Sequence, residues 1–363
     1  MARFSLLSLT VLLGCHGSAD DGLTTWTDQF SSDSNGMLEV DIDVERGTES
    51  FLVTSESGAL LAVEYIYDQS GDIVLDWEEE YSSANSLTGA IWAEAADNVV
   101  NWPAHPDDAL SPGTWTVVLS TLTDDGAYYA GNQDVDVTVQ TKGDRDLTSG
   151  TIRATVAYAE GVNNNAEVVS AVEQAVARWD EIWASYGLQL EVSYTNTGVS
   201  ADLAFPDGSD DALLSISNNG SDDDVLVLIG ESIDGDSYSY YGVSGGIPGT
   251  LVATRRAGVI ASWLANAGTD GSFSDGDIRL FGETLAHEVG HYIGLFHPVE
   301  SEYNAWDALS DTSDCSSANA CENELGNNLM FPYPICYANG GCDPQDQLSD
   351  QQVGITQLYT GTL

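Results

Sequence analysis

The window His287-Glu288-Val289-Gly290-His291-Tyr292-Ile293-Gly294-Leu295-Phe296-His297 constrains this chain more than any other stretch. Side chains four apart share one face of an α-helix, so a helix through the window points His287 and His291 the same way. Glu288, one residue on, is rotated off that line but stays beside it. Gly294 lacks a Cβ, can adopt positive φ, and so can end the helix and turn the chain. Three residues later His297 returns to the same region. The chain has five histidines and three of them stand here. The spacing predicts a helix that stops at Gly294 with three imidazoles converging.

Converging imidazoles suit Zn²⁺, and three of them fill three of its four tetrahedral corners. A structural zinc would need a fourth protein ligand. His16 and His105 lie outside this part of the chain, and the downstream cysteines are expected to be paired. The fourth corner is therefore expected to hold water, whose pKa zinc lowers to about 7. Glu288 has the place of a general base: it would take a proton as the metal-activated water attacks a peptide carbonyl, then return it to the leaving amine. The eleven-residue pattern is far more specific than a bare H-E-x-x-H.

Charge excludes some partners. With 58 acidic and 9 basic residues the formal net charge is −49, spread over both halves of the chain. Such a field argues against nucleic acid and anionic lipid surfaces. Solubility in a saline or divalent-rich medium is the plain reading. Calcium is the sharper one, with Asp222-Asp223-Asp224, Asp234-Gly235-Asp236 and Asp270 through Asp277 as oxygen-rich candidates, although none follows a calcium-loop pattern.

The N-terminus reads as an export signal: Arg3, a short apolar run from Phe4 to Leu13, then Leu12-Leu13-Gly14-Cys15. That tetrapeptide resembles a bacterial lipobox, which implies cleavage before Cys15 and acylation of its sulfur. The mature protein would then touch a membrane only through a lipid anchor, in the cell envelope as an outer-membrane lipoprotein, or else be extracellular. An ordinary signal peptide with an incidental cysteine is the alternative. Cys315, Cys321, Cys336 and Cys342 form an even set in an exported chain and read as two disulfides, with three pairings open.

The fold class expected is α+β, an all-β sandwich followed by an α/β lobe with the histidine helix. Residues 16–35 read as a flexible acidic tether. Residues 36–142 alternate in strand fashion, most clearly at Leu38-Glu39-Val40-Asp41-Ile42-Asp43-Val44. Ser70–Val74 and Leu110–Val117 resemble the small β-sandwich modules that accompany secreted bacterial peptidases. From 143 to 363 the rhythm changes. Thr151 to Ala159 reads as a strand, and Asn165 to Tyr186 as a helix with Val168, Val172, Val176, Trp179 and Trp183 on one face. Val225 to Ile229 is a fully apolar strand, and the histidine helix starts near Ser274–Asp277.

With these parts in view the chain resembles the metzincin metallopeptidases. The resemblance implies a methionine-bearing turn below the metal, and Asn327-Asn328-Leu329-Met330-Phe331-Pro332 fits, with Met330 as a non-ligating floor. Asp307-Ala308-Leu309-Ser310-Asp311-Thr312 with Cys315 resembles the pappalysin-like branch, and Gly242 to Gly249 followed by Ala257 to Ile260 is similar to that branch's edge strand and the strand after it. Leu329-Met330-Phe331-Pro332 and Leu348 to Val353 are similar to the matrixins, a second affinity. Two departures stand out. The position two after the methionine, where several relatives carry a transition-state tyrosine, is Pro332; Tyr333 is the nearest substitute. No cysteine lies between Cys15 and Cys315, so a pro-segment thiol cannot cap the metal.

The implied function is a secreted, membrane-anchored zinc endopeptidase on protein or peptide substrates. An extended substrate would add to an edge strand, expected near Gly249 to Arg255, with Arg255 and Arg256 as either attractants for acidic substrate residues or ordinary ion-pair partners. A non-catalytic surface adhesin on a decayed peptidase fold is the alternative, although neither Glu288 nor any of the three histidines is lost.

Overall fold

The computed structural model of the chain describes residues 22–77, 86–87, 95–108, 110–143, 147–217, 224–236, 239–268, 271–337 and 341–363. The signal segment with Cys15, and Asp222, Asp223 and Asp270, lie outside the described residues. No described helix is long and apolar enough to cross a membrane.

The chain is α+β. Its first lobe holds β1 (Leu23–Ser31), β2 (Met37–Val44), β3 (Thr48–Tyr67), β4 (Ile73–Asp76), β5 (Ser86–Leu87), β6 (Ala95–Trp102), β7 (Gly113–Leu122) and β8 (Asp134–Gly143). The 20-residue β3 serves both layers of a curled sheet. Its first half pairs with β8 and β6, and its second half with β7 and β4, across a register shift between Glu56 and Leu61. β1 extends the first layer beyond β8, and β2 extends the second beyond β7. Alternation explains the core: Leu38, Val40, Ile42 and Val44 point inward from β2 and meet Val135, Val137 and Val139 of β8. Between them Asp41 and Asp43 face out and accept the Thr116 and Thr114 hydroxyls of β7.

The flexible tether is corrected here. Leu23–Ser31 is a strand, paired residue for residue with β8 from Leu23↔Lys142 to Ser31↔Asp134. Its polar side chains make it look like a linker, but β8 offers an open edge whose backbone groups need partners.

The second lobe begins with β9 (Gly150–Tyr158), α1 (Ala166–Ala184) and β10 (Leu188–Asn196). β11 (Asp202–Leu203), α2 (Ala212–Ser217), β12 (Val225–Gly230), β13 (Ser232–Ile233), β14 (Gly242–Ser244) and β15 (Val259–Ser262) follow. α3 (Trp263–Asn266), α4 (Asp275–Tyr292), β16 (Trp306–Asp307), α5 (Ala318–Leu325) and α6 (Asp350–Leu358) complete it. The main sheet runs β10-β9-β12-β15-β14, parallel throughout except for β14. β12 is buried along its whole length, which is why its sequence is an unbroken apolar run. α1 starts at Asn165, whose side chain caps Glu167 and Val168, and buries Val168, Val172, Val176, Trp179 and Trp183. It meets α4 at Gly282, where a Cβ would stand 2.6 Å from the Ala175 carbonyl oxygen. Only a glycine allows that approach.

The lobes share a buried seam. Leu52 of β3 joins the second lobe's core rather than its own. Ser50 bonds Thr360 at 3.0 Å and Thr54 bonds Thr250 at 2.8 Å. Lys142 Nζ donates to the Gln357 and Tyr359 carbonyls at the end of α6. Residues 359–363 are buried, and Leu363 exchanges backbone hydrogen bonds with Thr151.

The expected edge strand at Gly249 to Arg255 is also corrected. That segment is irregular and belongs to the seam, where Tyr359 Oη donates to the Gly249 carbonyl and the Tyr292 ring crowds Gly249. The edge of the sheet is β14, seven residues earlier at its start. Arg255 pairs with Asp211 at 2.6 Å and Arg256 reaches Asp97 at 3.6 Å, so both are internal ion-pair partners.

Candidate metal centre

Ser274 and Asp277 cap α4 reciprocally, as a Ser followed three residues later by an acid allows. The helix carries His287 and His291, then Gly294 at φ 104° turns the chain while the Leu295 N–H bonds back to Gly290. His297 arrives facing the other two rings. His291 Nε2 stands 3.1 Å from His297 Nε2, which stands 3.3 Å from His287 Nε2. These are close to the edge, about 3.3–3.4 Å, of a tetrahedron drawn on zinc–nitrogen bonds of about 2.0–2.1 Å.

Each ring is oriented by its other nitrogen. His287 Nδ1 bonds the Leu329 carbonyl at 2.7 Å, and His291 Nδ1 the Leu295 carbonyl at 2.6 Å. His297 Nδ1 meets the Glu300 carboxylate at 3.1 Å. With Nδ1 donating in all three, the Nε2 lone pairs face one another. Burial drives the His287 ring down to about 3 and the His291 ring well below its ordinary value, with the neighbouring imidazoles adding to the effect. Neutral rings aiming three lone pairs at one point repel unless a cation sits between them. The donor set therefore fits a resident metal ion, and among the described residues it is the one group of three such side chains able to hold one.

Met330 is fully buried and packs against the histidine helix at Gly290. A Cβ on Gly290 would come within 2.6 Å of its sulfur, so the methionine fills the space that Gly290 leaves. The turn is fixed from behind: Asn328 Oδ1 accepts the Met330 N–H at 2.8 Å, and its amide donates to Gln352 of α6 at 2.8 Å.

Glu288 faces β14. The Ser244 backbone N–H bonds its carboxylate, while burial pushes the group up to about 8. Gly242 makes the approach possible, since a Cβ there would stand 2.7 Å from Glu288 Cγ. A cleft of about 380 Å³ runs between β14 on one side and Phe331, Pro332 and Tyr333 on the other, with the three histidines and Glu288 at its base. Tyr333 Oη bonds Tyr303 Oη and lies 3.3 Å from Glu322, on the cleft wall rather than in the core. A larger groove of about 750 Å³ flanks β10 and residues 250–253 but holds none of these groups.

Cys315 pairs with Cys321 and Cys336 with Cys342, closing two short loops around α5 and the cleft wall. The calcium candidates that are described serve locally: Asp277 caps α4, Asp234 accepts the Phe205 N–H and Asp236 the Ser239 N–H. Sequence reading missed Glu300, and it had Gly242 and Ser244 in a segment similar to an edge strand but not their approach to Glu288. Glu300 had a signal, an acid three residues after His297; the other two are brought to Glu288 only by the pairing of β14 with β15.

No family model matches the chain. It is similar to an extracellular metalloprotease of Pyricularia oryzae, 26% identical over 185 residues, covering 48% of this chain and 61% of the relative. The chain thus spans about three fifths of that protein. Among solved structures it overlaps metalloproteinase-II of Bacteroides fragilis at 14% identity and TM-score 0.28, over 52% of this chain and 61% of the other. It also overlaps myroilysin at 15% identity and TM-score 0.25, over 58% and 95%. Overlaps that partial carry no argument about this chain.

Proposed function

We propose that this protein is an exported zinc-dependent endopeptidase of metzincin type, closest in its motifs to the pappalysin-like branch. The observation that carries the reading is the convergence of three Nε2 atoms beside a half-buried carboxylate in an open cleft. His287, His291 and His297 would hold the ion. Zinc bound there supplies a water of pKa about 7 and a Lewis acid for the substrate carbonyl.

The chain's own residues do the rest. Glu288, steadied by the Ser244 N–H, takes up a proton at its carboxylate and delivers it to the departing amine nitrogen. An extended peptide lies along the outer edge of β14, which among the described residues pairs only with β15, and is held main chain to main chain. Met330 supports the imidazoles from below. In this reading Tyr333, which lines the cleft, turns its hydroxyl from Tyr303 and Glu322 toward the developing oxyanion. Export, with a lipid on Cys15, belongs to the same proposal.

The test is hydrolysis of casein and of a peptide library by the purified chain. A chelator should abolish cleavage and added Zn²⁺ should restore it; cleavage indifferent to chelation removes the proposal. Gly242→Ala gives a second, geometric test. Its new methyl pushes on Glu288 Cγ, so kcat should fall about 10-fold or more with zinc content unchanged. Wild-type kcat in that variant would show that Gly242 does not position the base.

A further inference from the structure

The three histidine rings meet at one point but are not held alike. His287 and His291 each lean on a main-chain carbonyl, of Leu329 and of Leu295. Both leucines belong to the second lobe's apolar core, so these two supports are built into its packing. His297 leans on a side chain instead, with the Glu300 carboxylate 3.1 Å from its Nδ1. A carboxylate only accepts, so Nδ1 carries the hydrogen and Nε2 keeps its lone pair. The His297 side chain is 20% exposed and that of Glu300 36%, which puts this third support at the solvent edge of the site.

The backbone brings Glu300 to the contact. Val299, just before it, is fully buried and bridges to Trp306. The Glu300 N–H donates to the Ala305 carbonyl, and the Glu300 carbonyl accepts the Tyr303 N–H. Tyr303 takes φ 56° within that turn. Both main-chain groups of Glu300 are thus tied down, while its carboxylate reaches His297. Glu300 is not grouped with the three rings as a further metal-holding side chain. Its place is behind His297, on the far nitrogen.

We propose that Glu300 is a positioning residue that governs how tightly the site retains its metal ion, acting through His297. The inference rests on the zinc site proposed above. A hydrogen bond with one charged partner is about twice as strong as a neutral one. A carboxylate behind an imidazole also fixes the ring and raises the basicity of the opposite nitrogen, which a main-chain carbonyl does more weakly. With its carboxylate, His297 is the strongest donor of the three. Without it, the ring at the solvent edge loses both its orientation and that advantage. Removing such a partner typically lowers metal affinity by about 10–100-fold.

Glu300→Gln tests the proposal, because it removes the charge and keeps the length, the backbone contacts and an oxygen that accepts from Nδ1. Zinc binding to the full chain is read without substrate, by competition with a chromophoric chelator. The variant's Kd for zinc should rise by about 10-fold or more, and its release of zinc into excess chelator should quicken. Bound Co²⁺ gives a second readout, since its visible bands should shift when the His297 donor changes. A Kd within about threefold of native, or unshifted Co²⁺ bands, overturns the proposal and leaves the zinc site standing. A native chain that takes up no zinc overturns both together. Should the zinc-free variant melt well below the zinc-free native chain, NMR of the native histidines decides instead. A hydrogen on His297 Nδ1 then supports the proposal, and one on Nε2 overturns it.

Discussion

Glu288→Gln is expected to bind zinc as the native chain does and to lose about 10²–10⁴-fold in kcat, the range that a positioned general base contributes. Glutamine keeps the size of the side chain and an oxygen that can accept the Ser244 N–H, so the cleft keeps its shape. It has no carboxylate to take up a proton. The three histidines stand apart from the change, since their orientation comes from Leu329, Leu295 and Glu300. Steady-state kinetics beside metal analysis separates the two effects. A kcat within threefold of native would remove Glu288 from the proton path. Loss of metal together with activity would instead make the carboxylate part of the binding site.

The second large effect falls far from the cleft. Lys142→Met should destabilise the protein by about 2–6 kcal/mol, because the Gln357 and Tyr359 carbonyls each lose a charged donor inside the seam, at about 1–3 kcal/mol per orphaned group. Lys142 is 2% exposed, and its ammonium sits at the C-terminal end of α6, where the helix dipole favours a cation. Methionine fills most of the same space, so packing loss adds little. Because α6 also supplies Gln352, which braces Asn328 behind the Met330 turn, metal affinity should fall with stability. Urea denaturation followed by Trp fluorescence measures it, and an unchanged midpoint would show that the seam does not depend on this contact.

The histidine site was legible because its information is local. Helical spacing, a glycine stop and a returning third histidine are written in eleven consecutive residues, and the structure brings His287, His291 and His297 together as that spacing requires. α1 and β2 were legible for a similar reason, since their apolar residues recur at the period of the element that buries them. β1 was not. Its apolar pattern is sparse, with Trp26 and Phe30 packing on the core among polar neighbours, and it is a strand because β8 needs a partner. β14 has three residues, too few for any period to show, and the glycines around it suited a loop equally well. The seam was hidden for a third reason. Ser50, Asn101, Lys142 and Thr360 are residue types that usually face water, and their burial depends on contacts between positions more than 200 apart. Sequence displays partners that lie close together or repeat; it conceals polar groups that find each other across the fold.

Metal analysis of the purified chain, by mass spectrometry under native conditions, tests the central claim most directly. The account predicts one Zn²⁺ per native molecule, with His291→Ala failing to retain it. A native chain that takes up no zinc, or a His291→Ala variant that holds it as tightly as the native protein, would contradict the account.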